Sequence, residues 1–100
     1  MVHWLQIGGI KCSIDCENKQ WQNLKEYLIK YPESKVEIWK KCTGDMFAIF
    51  IRLECQQNYN DLDLDCNSMF DGSIKHLNSK PSNIELCNKP IDWFIERKCS

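Results

Sequence analysis

Three groups of residues in this 100-residue chain are of types that could do chemistry: the alternating aspartates Asp61, Asp63 and Asp65, seven cysteines, and the histidines His3 and His76. The run Asp61-x-Asp63-x-Asp65-x-Asn67 sets oxygen donors at alternate positions, as a loop that wraps calcium does. The likeness breaks down at decisive places. The sixth position of such a loop would be Cys66, where glycine makes the sharp turn, and the twelfth would be Gly72, where a bidentate glutamate closes the shell. Three carboxylates on one strand face also need partners from elsewhere to converge on one ion. The run therefore reads as an acidic surface, not as a metal centre.

Cysteines stand at 12, 16, 42, 55, 66, 87 and 99. Cys12-x-x-x-Cys16 with His3, His76, Cys66 and Cys87 has the ligand types of a zinc shell, but structural zinc sites are built from close Cys-x-x-Cys knuckles and this chain has none. Cys16 near a helix N-terminus could be a thiolate nucleophile, yet no histidine stands at a recognisable spacing to activate it. His3 and His76 could act as base and acid in phosphodiester cleavage if they met in one cleft. Gly8-Gly9 lacks both the spacing and the lysine of a phosphate-binding loop. No reaction is identified, and the expectation is a non-enzyme with neither metal nor cofactor.

The odd cysteine number leaves at least one thiol free. Residues 1–14 lack the basic start and long apolar run of a secretory leader, and no asparagine lies in a glycosylation acceptor. The chain is expected in the reducing cytoplasm, its thiols serving as small buried hydrophobes. The alternative is a secreted, disulfide-bonded effector or ligand with three bridges and one free cysteine.

Composition bounds the rest. A hydrophobic fraction of 43% with 27% charged residues and four tryptophans describes one folded domain over 1–100. At this length a core buries roughly two thirds of the unfolded surface without help from disulfides. Net charge −1 gives no basic footprint for nucleic acid, and no apolar run is long enough to span a membrane. Charge is locally uneven, however. Lysines gather at 19, 25, 30, 35, 40 and 41, and acids gather at Glu54, Asp61, Asp63, Asp65 and Asp71.

The elements that must position these groups follow from periodicity. The stretch 46–55, Met-Phe-Ala-Ile-Phe-Ile-Arg-Leu-Glu-Cys, is apolar on both alternating faces and predicts the central strand of a sheet. Residues 2–7 predict a strand ending at Gly8-Gly9, with a continuation through 10–14. Asp15 is the expected N-cap of a helix over 16–31, whose Trp21, Leu24, Tyr27, Leu28 and Tyr31 share a face and whose end is Pro32. Lys35 to Cys42 predicts a strand with Val36 and Ile38 on one side and Trp39 on the other. The Gly44-containing connector makes it a hairpin with 46–55, Trp39 opposite Ile49 and Ile38 opposite Phe50. Short strands are expected at 60–66, 73–77 and 84–87, and a helix over 89–98 with Asn88 as cap, Pro90 in its first turn and Ile91, Phe94 and Ile95 inward.

The fold expectation is α+β: an antiparallel sheet of four to five strands centred on 46–55, with two helices packed on it. A βαββαβ arrangement is the nearest comparison, its last strand missing. With 60–66 placed beside 46–55, Glu54, Tyr59, Asp61, Asp63, Asp65 and Asp71 would form an acidic, partner-binding face. Such a face speeds and selects association with a basic protein. The functional expectation is a small cytoplasmic inhibitor, in the manner of an immunity protein or antitoxin, that covers the active site of a basic toxin such as a nuclease.

Overall fold

The computed structural model of the chain describes residues 2–9, 13–41, 48–55, 64–65 and 74–99. Their elements, in order, are β1 (Val2–Gly8), α1 (Ile14–Lys30), β2 (Lys35–Lys41), β3 (Ala48–Glu54), β4 (Leu64–Asp65), β5 (Ile74–Leu77), β6 (Ile84–Cys87) and α2 (Ile91–Cys99). Five strands pair antiparallel in the order β5-β1-β3-β2-β6, and β4 adds a two-residue parallel bridge outside β5. The class is α+β and β3 is central, as the two apolar faces of 46–55 predict. Among the described residues no helix is long and apolar enough to cross a membrane.

Alternation divides the sheet into two faces. Leu5, Ile7, Ile38, Ile49, Ile51 and Leu53 meet Trp21, Leu24 and Tyr27 of α1 in one core, which Phe94 and Ile95 of α2 extend. Trp21 stacks on Phe94 with ring centroids 4.8 Å apart, locking the two helices together. Trp4, Gln6, Trp39, Phe50 and Arg52 alternate with the core positions and point to the other face.

Several boundaries differ from expectation. α1 begins at Ile14, capped by Ser13, whose hydroxyl accepts from the Cys16 N–H at 3.1 Å. Asp15 is therefore inside the first turn beside Glu17, where both carboxylates face the positive end of the helix dipole. Ile14 is helical and not part of a strand. The hairpin register is also one residue from the expected one: Trp39 lies opposite Phe50 and Ile38 opposite Ile51. Directly paired residues share a face, so this register keeps Ile38 with the core and the aromatics together on the far side.

The second neighbour of β3 is β1, paired from Val2↔Glu54 to Gly8↔Ala48, and not 60–66. The order β5-β1-β3-β2 contains all four strands of a βαββαβ sheet, so the expected missing strand is present as β5. β6 is an additional strand on β2, and α2 follows it at the C-terminal end of the chain. β5 and β6 flank the three inner strands on opposite sides, so residues 78–83 must cross the sheet between them.

Candidate functional site

The sheet face opposite α1 and α2, helix-free among the described residues, is where side chains of recognition type gather. Trp4 on β1 and Trp39 on β2 reach across β3 and meet edge to face, ring centroids 5.9 Å apart at 62°. Phe50, opposite both Gln6 and Trp39 on the same face, is only 5% exposed. The 78–83 crossing runs over this face. Its Lys80 holds the ammonium 5.1 Å from the centroid of Trp39 and 5.9 Å from that of Trp4, within cation–π range of both. Lys80 itself is exposed, and the crossing turns into β6 through Asn83, whose φ of 57° is a left-handed conformation that asparagine tolerates.

Beside the indoles runs a charge ladder. Arg52, opposite Trp4 on one side and Glu37 on the other, lies 3.8 Å from Glu37 and 3.6 Å from Glu54, and Lys35 lies 4.0 Å from Glu54. Two cations and two anions balance there. At the rim, Val2 and Leu86 remain exposed, and β6 separates from β2 beyond the Ile38↔Cys87 pair. An open cleft of about 370 Å³ lies at that edge, with Val36, Glu37, Leu86, Cys87 and Ile91 among its walls.

The residues expected from sequence distribute as follows. Glu54 ends β3 on the helix-free face, inside the charge ladder. Asp65 lies in β4, in register with Lys75. Tyr59, Asp61, Asp63 and Asp71 lie outside the described residues. β5 and β1 stand between β4 and β3, so Asp65 does not neighbour β3 as expected. Both places beside β3 are taken by β1 and β2.

His3 and His76 do meet: β1 and β5 pair, and the two rings lie 5.7 Å apart. His3 is 7% exposed, which offers a substrate almost no surface. Burial, then the charges of His76 and the N-terminus, holds its imidazole below the usual value of 6.5. Cys16 is not with them. Gln20, one turn after Cys16, accepts from the Gly8 N–H at 2.8 Å, and His3 lies back along β1 by about 17 Å at the strand rise. Near the histidine end, burial and then the neighbouring Cys55 thiol push the Tyr27 phenol well above its usual value. Among the described residues no three side chains of metal-ligand type gather.

No family model, curated protein or solved structure matches this chain. What the site can do follows from its own chemistry. A face of two indoles, an arginine in a charge ladder and exposed aliphatics has the make-up of a protein contact surface, where tryptophan and arginine supply anchors. Sequence reading had put Trp39 on the side of its strand away from Val36 and Ile38. Alternation of Trp4 against Leu5 carries the same signal, and together they could have found this face.

Proposed function

We propose that the chain is a non-enzymatic protein-binding protein that docks through the helix-free sheet face and inhibits its partner, in the manner of a cytoplasmic immunity protein or antitoxin acting on a basic toxin domain. The observation that carries the reading is the Trp4–Trp39 pair set beside Arg52 on a face that no described helix covers, with Leu86 and Val2 exposed at its rim. Glu54 belongs to that face, and Asp61, Asp63, Asp65 and Asp71, with Tyr59 among them in the sequence, are the acidic run expected to steer a basic partner. Separation of Cys16 from the histidine pair favours binding over catalysis.

The test is affinity capture from the native host with the tagged chain, run beside Arg52→Glu/Leu86→Asp and Asp61→Lys/Asp63→Lys/Asp65→Lys variants. The reading expects a basic protein retained by the wild type and lost from the sheet-face variant. The aspartate variant should bind it with a slower association rate. Capture unchanged by both variants, or capture of no protein, counts against it.

A further inference from the structure

We propose that Trp4 and Trp39 form a receptor for an organic cation, the ammonium or guanidinium of a basic partner's side chain, and that Lys80 occupies this receptor in the free protein. The inference rests on reading the helix-free face as the contact surface and adds the chemistry of its centre. Two indoles at 62° present ring faces to one point above the sheet, and the ammonium of Lys80 stands 5.1 and 5.9 Å from their centroids. A cation held by two aromatic faces is the geometry in which such groups are recognised generally.

Three features make Lys80 a replaceable occupant. Lys80 and its neighbours Asn78, Ser79, Ser82 and Asn83 are exposed, so the crossing that carries it can lift without opening the core. Phe50, directly opposite Trp39 on the same face and 5% exposed, belongs to the sheet and not to the crossing, so it stays when the lysine leaves. Arg52 does not repel an incoming cation strongly, because Glu37 and Glu54 lie within 3.8 and 3.6 Å of it. Glu37 also stands two residues before Trp39 on the same strand face, as a counter-charge beside the receptor. The tethered lysine competes with any external cation, so its removal raises external affinity by the factor it had suppressed, about tenfold for a pair of partly exposed cation–π contacts.

Tetramethylammonium is the probe, followed through the indole N–H resonances of Trp4 and Trp39 in the full chain. Lys80→Gln is expected to give saturable shifts of both resonances, the wild type the same shifts at about tenfold higher concentration. Trp39→Leu in the Lys80→Gln background should abolish them, with amide dispersion confirming that the variant is folded. Sodium chloride at equal ionic strength and the neutral isostere 3,3-dimethylbutanol are the controls. Lack of a saturable shift in Lys80→Gln, or an equal shift from the neutral isostere, overturns the receptor. Partner capture that persists after such a result would leave the contact surface standing without the cation site.

Discussion

The imidazoles of His3 and His76 lie 5.7 Å apart across the β1–β5 pair, one buried and one half-buried. Protonating both would set two like charges together at low dielectric. His3 is held neutral below its ordinary value of 6.5 by burial first and by the charge of His76 second. The unfolded chain therefore binds a proton more readily than the folded one. The contribution of His3 to stability is complete above pH 6.5 and declines as pH falls from there through the folded value. Urea midpoints at pH 8, 6 and 5 should fall in that order, and His3→Gln should flatten the trend. His76→Gln should move the His3 titration, read by NMR, back toward 6.5. A wild-type His3 that titrates at the free-imidazole value refutes the account.

Capping distinguishes Ser13 from Asp15. Ser13 satisfies the Cys16 N–H directly, and Asp15 acts only through the helix dipole. Ser13→Ala is expected to cost about 1 kcal/mol and Asp15→Asn about half that or less, the latter shrinking in high salt. Equilibrium unfolding at low and high ionic strength measures both, and the opposite ranking would restore Asp15 as the cap.

The helix pair depends on apolar stacking far more than on charge. Trp21 is fully buried against Phe94, whereas Lys25 and Asp92, 2.9 Å apart, are both substantially solvated. Trp21→Ala should cost about 3–5 kcal/mol and Lys25→Ala less than about 1 kcal/mol. At a typical stability for this size the first substitution approaches the whole of it. A folded, cooperative Trp21→Ala protein at 37 °C would contradict the packing.

Which parts of this architecture were legible in the sequence follows from how local their causes are. β6 matches its expected bounds, whereas α2 begins at Ile91, so Pro90 precedes the helix and Asn88, three residues before it, is not its cap. Both faces of β3 were read from alternation alone. The hairpin register was missed by one residue although the information was present: Ile38 cannot lie opposite Phe50 if each belongs to a different face, and shared parity demands Ile38↔Ile51. The pairing of β1 with β3 and β5 joins segments far apart in sequence, and nothing local encodes it. For that reason the histidine pair, the Trp4–Trp39 contact and the distance of β4 from β3 were beyond reading, even though every residue involved had been singled out or assigned to a strand.

Gly8 tests the joint between β1 and α1. Its φ is 76°, a conformation costly for any residue with a Cβ, and its N–H donates to Gln20, which is wholly buried. Gly8→Ala is expected to destabilise by about 1–2 kcal/mol through the backbone, and Gln20→Leu by about 1–3 kcal/mol by leaving a buried donor without its acceptor. Because a backbone that relaxes from φ 76° in Gly8→Ala also carries the N–H away from Gln20, the double variant should cost less than the sum. Additive losses in denaturant titrations would mean that the bond does not couple the two sites.

Burial ranks Cys16, Cys55 and Cys87 by thiol accessibility. Cys16 and Cys55 are 7% and 5% exposed, and Cys87 is half-buried at the wall of the β2–β6 cleft. Alkylation requires contact between reagent and sulfur, so in the native state Cys87 should be labelled first. Cys16 and Cys55 should wait for local or global opening, at rates that fall as stability rises. In the reducing compartment proposed above, denaturant added without reductant should then expose all three at once. Peptide mapping after timed alkylation reads the order. A Cys16 or Cys55 that resists labelling in denaturant until a reductant is added would mean that the thiol is bridged and that the secreted, oxidised form has to be reconsidered.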